Sequence, residues 1–197
     1  MTTNQTAPAL LLARAISWVG HPLVFVMVSV AIVLATTMAP AAAWPILACL
    51  FFSVILPTAV LLVIGVRSGR WKDLDVSVRE ERKRFYPTAI PISAAGLVTT
   101  WLIRAPFFIL RGSIVTLGLF VVAAIINTWL KISLHTLFAF YCGMILCRIG
   151  AIAGIAGFTL AVLVFWSRLY LGRHTMMENV AGALVGIGGG ILTAWWP

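Results

Sequence analysis

The densest group of reactive side chains lies near the end of the chain, in Ser167-Arg168-Leu169-Tyr170-Leu171-Gly172-Arg173-His174-Thr175-Met176-Met177-Glu178. If a helix starts near Thr175, His174 and Glu178 sit about one turn apart and their side chains meet. A carboxylate on one ring nitrogen fixes the imidazole tautomer and leaves the other nitrogen able to attack. Arg168 and Arg173 add planar guanidinium forks that match phosphate oxygens. The natural guest of such a group is an anion, and a phosphoryl group can also react with it.

A second group, Lys131-Ile132-Ser133-Leu134-His135, puts a hydroxyl and an imidazole two residues apart beside a cation, at the head of an apolar segment. Helix N-termini attract anions through their unpaired N–H groups. His135 is placed to protonate a leaving alcohol, and Ser133 with the local N–H groups to hold phosphoryl oxygens. The third group is the charged loop from Lys72 to Arg84, whose cations supply further clamps.

These groups must be carried by membrane helices. The chain has 197 residues, of which 62% are hydrophobic and only 10% charged, too few to clothe a soluble globule. A span needs roughly 20 apolar residues. Seven apolar segments can be drawn, at about 18–38, 45–66, 88–104, 111–130, 135–149, 151–167 and 178–196. The expected fold is therefore all-α: a single membrane domain over residues 1–197, built as a polytopic bundle of six or seven transmembrane helices. Threading the chain through seven spans puts the 67–87 loop, the 131–135 junction and the 168–178 loop on one face. That face then holds all five acidic residues, all three histidines and every Lys and Arg except Arg104, Arg111 and Arg148. Charge bias places that face in the cytoplasm, but cations that serve a site weigh in the same count, so the outer face stays open; the expected membrane is a bacterial inner membrane.

With these residues in place, the chain resembles the type 2 phosphatidic acid phosphatase superfamily, which includes vanadium haloperoxidases and bacterial acid phosphatases. The family's third motif, S-R-x5-H-x3-D, is matched by Ser167, Arg168, His174 and, with Glu for Asp, Glu178. Its second, P-S-G-H, corresponds to Ile132-Ser133-Leu134-His135, and its first, K-x6-R-P, to Lys72 and Arg79 with Glu80 in place of proline. The likeness runs over roughly residues 70–185. It implies that His174 forms a phosphohistidine, Glu178 orients it, His135 is the general acid, and Arg168 and Ser133 bind the phosphate. Lys72 and Arg79 would join them, with Arg82 or Arg84 as the alternative to Arg79. It implies neither a metal nor a cofactor.

The function expected on this basis is hydrolysis of a lipid phosphate monoester or diphosphate. The partners would be the bilayer and a lipid phosphate, not nucleic acid. Two alternatives stay open: a phosphotransferase that uses the same intermediate, and a non-catalytic binder of anionic headgroups, which the altered second motif favours. Outside the motifs, His21, followed by Pro22, is expected to be a helix-end residue. The glycines of 182–190 should serve close helix packing. Trp44, Trp71, Trp129, Trp166, Trp195 and Trp196 should form an interfacial belt.

Overall fold

In a computed structural model, which describes residues 6–195, the chain is helical, with no strand among the described residues. The helices are α1 (Ala7–Val19), α2 (Pro22–Thr37), α3 (Pro40–Leu50), α4 (Leu56–Arg67), α5 (Arg79–Leu102), α6 (Phe107–Ile126), α7 (Leu134–Cys147), α8 (Ala151–Tyr170) and α9 (Met176–Trp195). Four continuous helical stretches are long and apolar enough to cross a membrane: Pro40–Arg67, Phe107–Ile126, Ala151–Tyr170 and Met176–Trp195. The broken pair α1 and α2 makes a fifth if it counts as one span. The expected first segment, 18–38, is thus interrupted by a break at Gly20-His21, where proline follows directly. The seventh expected segment ends at Trp196, outside the described residues.

The helices gather into two compact units. Among the described residues, one comprises Thr6–Val26 with Ile132–Ile191; the other comprises Met27–Lys131 with Leu192–Trp195.

In the unit that begins at Met27, α3 passes into α4 through a π-helical turn, Phe51–Ile55. Pro57 accounts for it, because its ring lacks an N–H and would clash with the carbonyl four residues back, and a widened turn relieves that conflict. α5 packs against this turn at Gly96, where an added Cβ would lie 2.2 Å from Val54 Cγ2. Leu34, Ala43, Ile46 and Ile109 form a buried cluster under Leu50 and Phe108. α5 begins nine residues before the expected apolar segment, so Arg79 and Arg82, expected in a loop, lie in its first turn. Glu80 and Glu81 in that turn complement the helix dipole. Trp71 departs from the expected belt: it is buried, with its ring against Gly65 and edge-on to Phe85. Trp44 and Trp129 are exposed as a belt requires, and Trp196 lies outside the described residues.

In the other unit, α7 and α8 form the tight hairpin expected from Arg148-Ile149-Gly150. A Cβ at Gly157 would meet Gly143 Cα at 3.1 Å, and one at Gly154 would meet Cys147 Cα at 3.1 Å. α9 lies equally close along α7. Added Cβ atoms at Gly182, Gly186 and Gly190 would stand 2.7 Å from Ser133 O, 2.2 Å from Leu137 O and 2.3 Å from Met144 Cβ. These three glycines, spaced four residues apart, let the two backbones touch, as small-residue seams do between membrane helices. Gly188 faces open space and belongs to no seam.

Candidate phosphoryl-transfer site

The site is built where α8 ends and where α7 and α9 begin. α8 closes with Gly172 at φ +63°, a left-handed conformation that glycine adopts without strain. Gly172 N–H donates to Leu169 O, and Arg173 N–H donates to Arg168 O at 3.0 Å, the paired bonds of a Schellman cap. His174 N–H reaches the same Arg168 carbonyl at 3.3 Å. The five residues between Arg168 and His174 are therefore the length of one helix cap. This ties the guanidinium-bearing residue to the imidazole-bearing one through the backbone.

α9 then starts with a capping box. Thr175 Oγ1 accepts from Glu178 N–H at 3.3 Å, and Glu178 Oε2 accepts in return from Thr175 N–H at 3.0 Å. The same Oε2 lies 2.9 Å from His174 Nδ1. With a carboxylate there, Nδ1 carries the proton and Nε2 holds the lone pair. The extra methylene of Glu over Asp lets one side chain reach both partners. The Thr175-x-x-Glu178 spacing that signals this cap was already visible in the sequence. The His174 side chain is 1% exposed and that of Glu178 13%, so the pair is shielded from bulk water.

At the head of α7, Ser133 is the N-cap, its Oγ accepting from Thr136 N–H at 3.3 Å. Thr136 Oγ1 donates to Asn179 Oδ1 at 2.7 Å, so the 3.0 Å contact between the two hydroxyls is donated by Ser133. Asn179 Nδ2 donates to Phe165 O at 3.3 Å. Ser133 N–H also donates to Glu178 O at 3.2 Å, joining the starts of α7 and α9. Ser133, Thr136 and Asn179 are fully buried. The Ser133 hydroxyl, expected on phosphate oxygens, caps the turn that carries His135. Thr136 and Asn179 stand in no motif and are not legible from the sequence. Leu134, where the family pattern has glycine, opens α7 with helical backbone and needs no glycine.

Arg168 is buried, and its Nη1 donates to Ser17 Oγ on α1 at 2.7 Å. His135 is buried beside His21, ring centroids 5.1 Å apart and nearly perpendicular. His21 Nδ1 accepts from Leu23 N–H at 3.3 Å, which makes it the helix-end residue expected.

In the second unit, Arg79 donates from Nε to Asn127 O at 3.0 Å and from Nη2 to Thr128 O, capping the end of α6. Arg82 is buried and its Nε donates to Val76 O at 2.9 Å. Val76 has φ +46°, a strained value for a β-branched residue. Lys72 has an exposed side chain, and its N–H is held by the Glu81 carboxylate at 3.1 Å. Glu80, in the place of the motif proline, pairs with Lys83 at 2.5 Å in the solvent. That hydrogen bond holds its carboxyl below the usual carboxylate range.

Taken together, the first unit holds an imidazole with one defined basic nitrogen, a buried guanidinium tied to it through a helix cap, and a second imidazole at a helix N-terminus. Comparison with protein-family models, curated proteins and solved structures finds no match for this chain.

Proposed function

We propose that this chain is a membrane phosphatase that hydrolyses a lipid phosphate monoester or diphosphate through a phosphohistidine. The observation that carries the proposal is the 2.9 Å contact of His174 Nδ1 with Glu178 Oε2, inside the spacing that also supplies Arg168. His174 Nε2 attacks phosphorus in line. The P–N bond forms as the P–O bond to the leaving group breaks, the lipid alcohol of a monoester or the lipid monophosphate of a diphosphate, and His135 gives its proton to the leaving oxygen. Water then attacks the phosphohistidine, passing its proton to His135, and inorganic phosphate departs. Glu178 stabilises the positive charge that grows on His174, while Arg168 meets charge on the equatorial oxygens. Shielding from water strengthens both effects. Ser133 serves by capping α7 and so setting the direction of His135.

The substrate's phosphate enters from the bilayer surface while its tail stays in lipid. We further propose six or seven spans: the long apolar helices, with the C-terminal part of α5 and the short α7 completing the set. The membrane is a bacterial inner membrane, with the site at its cytoplasmic face. No resident metal or cofactor is needed for these steps.

A second reading, headgroup binding without turnover, is favoured by one observation: the Ser133 hydroxyl is already engaged in the Thr136–Asn179 chain. Rapid quench of the purified protein with a 32P-labelled lipid phosphate separates the two. The proposal expects an acid-labile, alkali-stable phosphoprotein that maps to His174. Saturable binding with no phosphoprotein and no product supports the second reading.

A further inference from the structure

The segment Ser17–His21 lies more than fifty residues before the first motif, yet it touches two of the residues assigned to chemistry. Ser17 Oγ accepts from Arg168 Nη1 at 2.7 Å, and His21 stands edge-to-face with His135 at 5.1 Å. We infer that Ser17 is a positioning residue of the site, fixing the plane of the Arg168 guanidinium and so the donor edge it offers to a phosphoryl group. The inference rests on the phosphatase reading for the role of Arg168.

The packing gives Ser17 this hold. α1 meets α8 at small buried positions, Ser17 against Arg168 and Gly20 against Val164. At Gly20 the approach is so close that an added Cβ would lie 2.1 Å from Val164 Cγ2. Val164 is one helical turn before Arg168, and Gly20 about one turn after Ser17, so the two contacts fall side by side on one seam. A buried guanidinium is costly unless its N–H groups find acceptors. It is planar and rigid, so a bond to one Nη sets the orientation of the whole fork. Ser17 is 8% exposed, and no mobile surface side chain could impose the same constraint. The contact of His21 with His135 shows that the same chain segment also borders the general acid.

The test uses the full-length protein in detergent and two readouts: affinity for orthovanadate, a phosphoryl mimic, by calorimetry, and the kinetics of lipid phosphate hydrolysis. Ser17→Ala should lower vanadate affinity about tenfold, as expected for losing one hydrogen bond to a charged group, with a matching fall in kcat/KM. Ser17→Thr, which keeps the hydroxyl, should restore most of both. In an Arg168→Lys background, Ser17→Ala should add less than about twofold, because the fork it orients is gone. A merely structural serine would change the melting temperature without these shifts. Vanadate affinity in Ser17→Ala within twofold of the wild type overturns the inference, even if hydrolysis proceeds as proposed. Wild-type protein that binds vanadate but releases no phosphate overturns the phosphatase reading, and the Ser17 comparison still decides the inference. Wild-type protein that binds no vanadate overturns both.

Discussion

Gly186→Ala tests whether α9 is seated on the α7 backbone. An added Cβ there would stand 2.2 Å from Leu137 O, 3.0 Å from Leu137 C and 3.1 Å from Tyr141 N, all backbone atoms that no rotamer change can move. Reaching ordinary contact at 3.4 Å requires α9 to withdraw by about 1.2 Å, a gap that forfeits about half of the dispersion attraction of the atoms along the seam. Overpacking of this kind costs ~1–3 kcal/mol, against a helix-propensity gain of ~1 kcal/mol for replacing glycine. A net loss of up to ~2 kcal/mol is expected. Gly188→Ala collects the same propensity gain and meets nothing within 4 Å, so it should be neutral or stabilising. The assay is unfolding in mixed micelles titrated with sodium dodecyl sulfate, read by the fluorescence of the eight tryptophans. Because Ser133 N–H bonds Glu178 O, withdrawal at Gly186 should also disturb the site and lower phosphate release. If Gly186→Ala proves as stable as Gly188→Ala, α9 is not seated on the α7 backbone.

Asn179→Ala removes the acceptor of the buried Thr136 hydroxyl and the second donor to the Phe165 carbonyl; a loss of ~1–3 kcal/mol is expected in the same titration, and a neutral result would mean that the Thr136–Asn179 bond contributes nothing. Glu178→Gln can still accept from Thr175 N–H but carries no charge, so stability should change by less than ~1 kcal/mol while turnover falls about a hundredfold or more. Thr175→Ala should show the reverse, losing ~1 kcal/mol of cap with a smaller change in rate; equal effects of the two variants on turnover would remove the electrostatic role of Glu178. Arg79→Lys should not replace the two-carbonyl cap on α6, because an ammonium cannot copy the guanidinium fork; a fully stable lysine variant would show that the cap contributes nothing.

Much of this architecture is legible in the residues. Apolar length marks the long helices, the Gly182-x3-Gly186-x3-Gly190 period marks the α9 seam, and the Arg148–Gly150 turn marks the α7–α8 hairpin, because each is a local consequence of sequence. The capping box of Thr175 and Glu178 and the Gly172 cap could have been read in the same way. The start of α5 could not be read from hydropathy: acidic residues favour a helix N-terminus without being apolar, so the helix extends past the apolar stretch to Arg79. Trp71 misled for a related reason, since nothing local announces that Gly65 leaves a flat place for its ring. The partners of the motif residues are the least legible part. Ser17 meets Arg168 across 151 residues and Asn179 meets Thr136 across 43, and a single sequence carries no sign of such pairings.

Phosphate release decides whether His174 carries the phosphoryl group as proposed. Purified wild type and His174→Ala, in detergent with chelator present, would be given phosphatidate, phosphatidylglycerol phosphate and polyprenyl mono- and diphosphates. Release from at least one of these by the wild type and none by His174→Ala is expected, with both proteins equally folded. Release that persists in His174→Ala, or a folded wild type that binds these lipids and releases nothing, would contradict it.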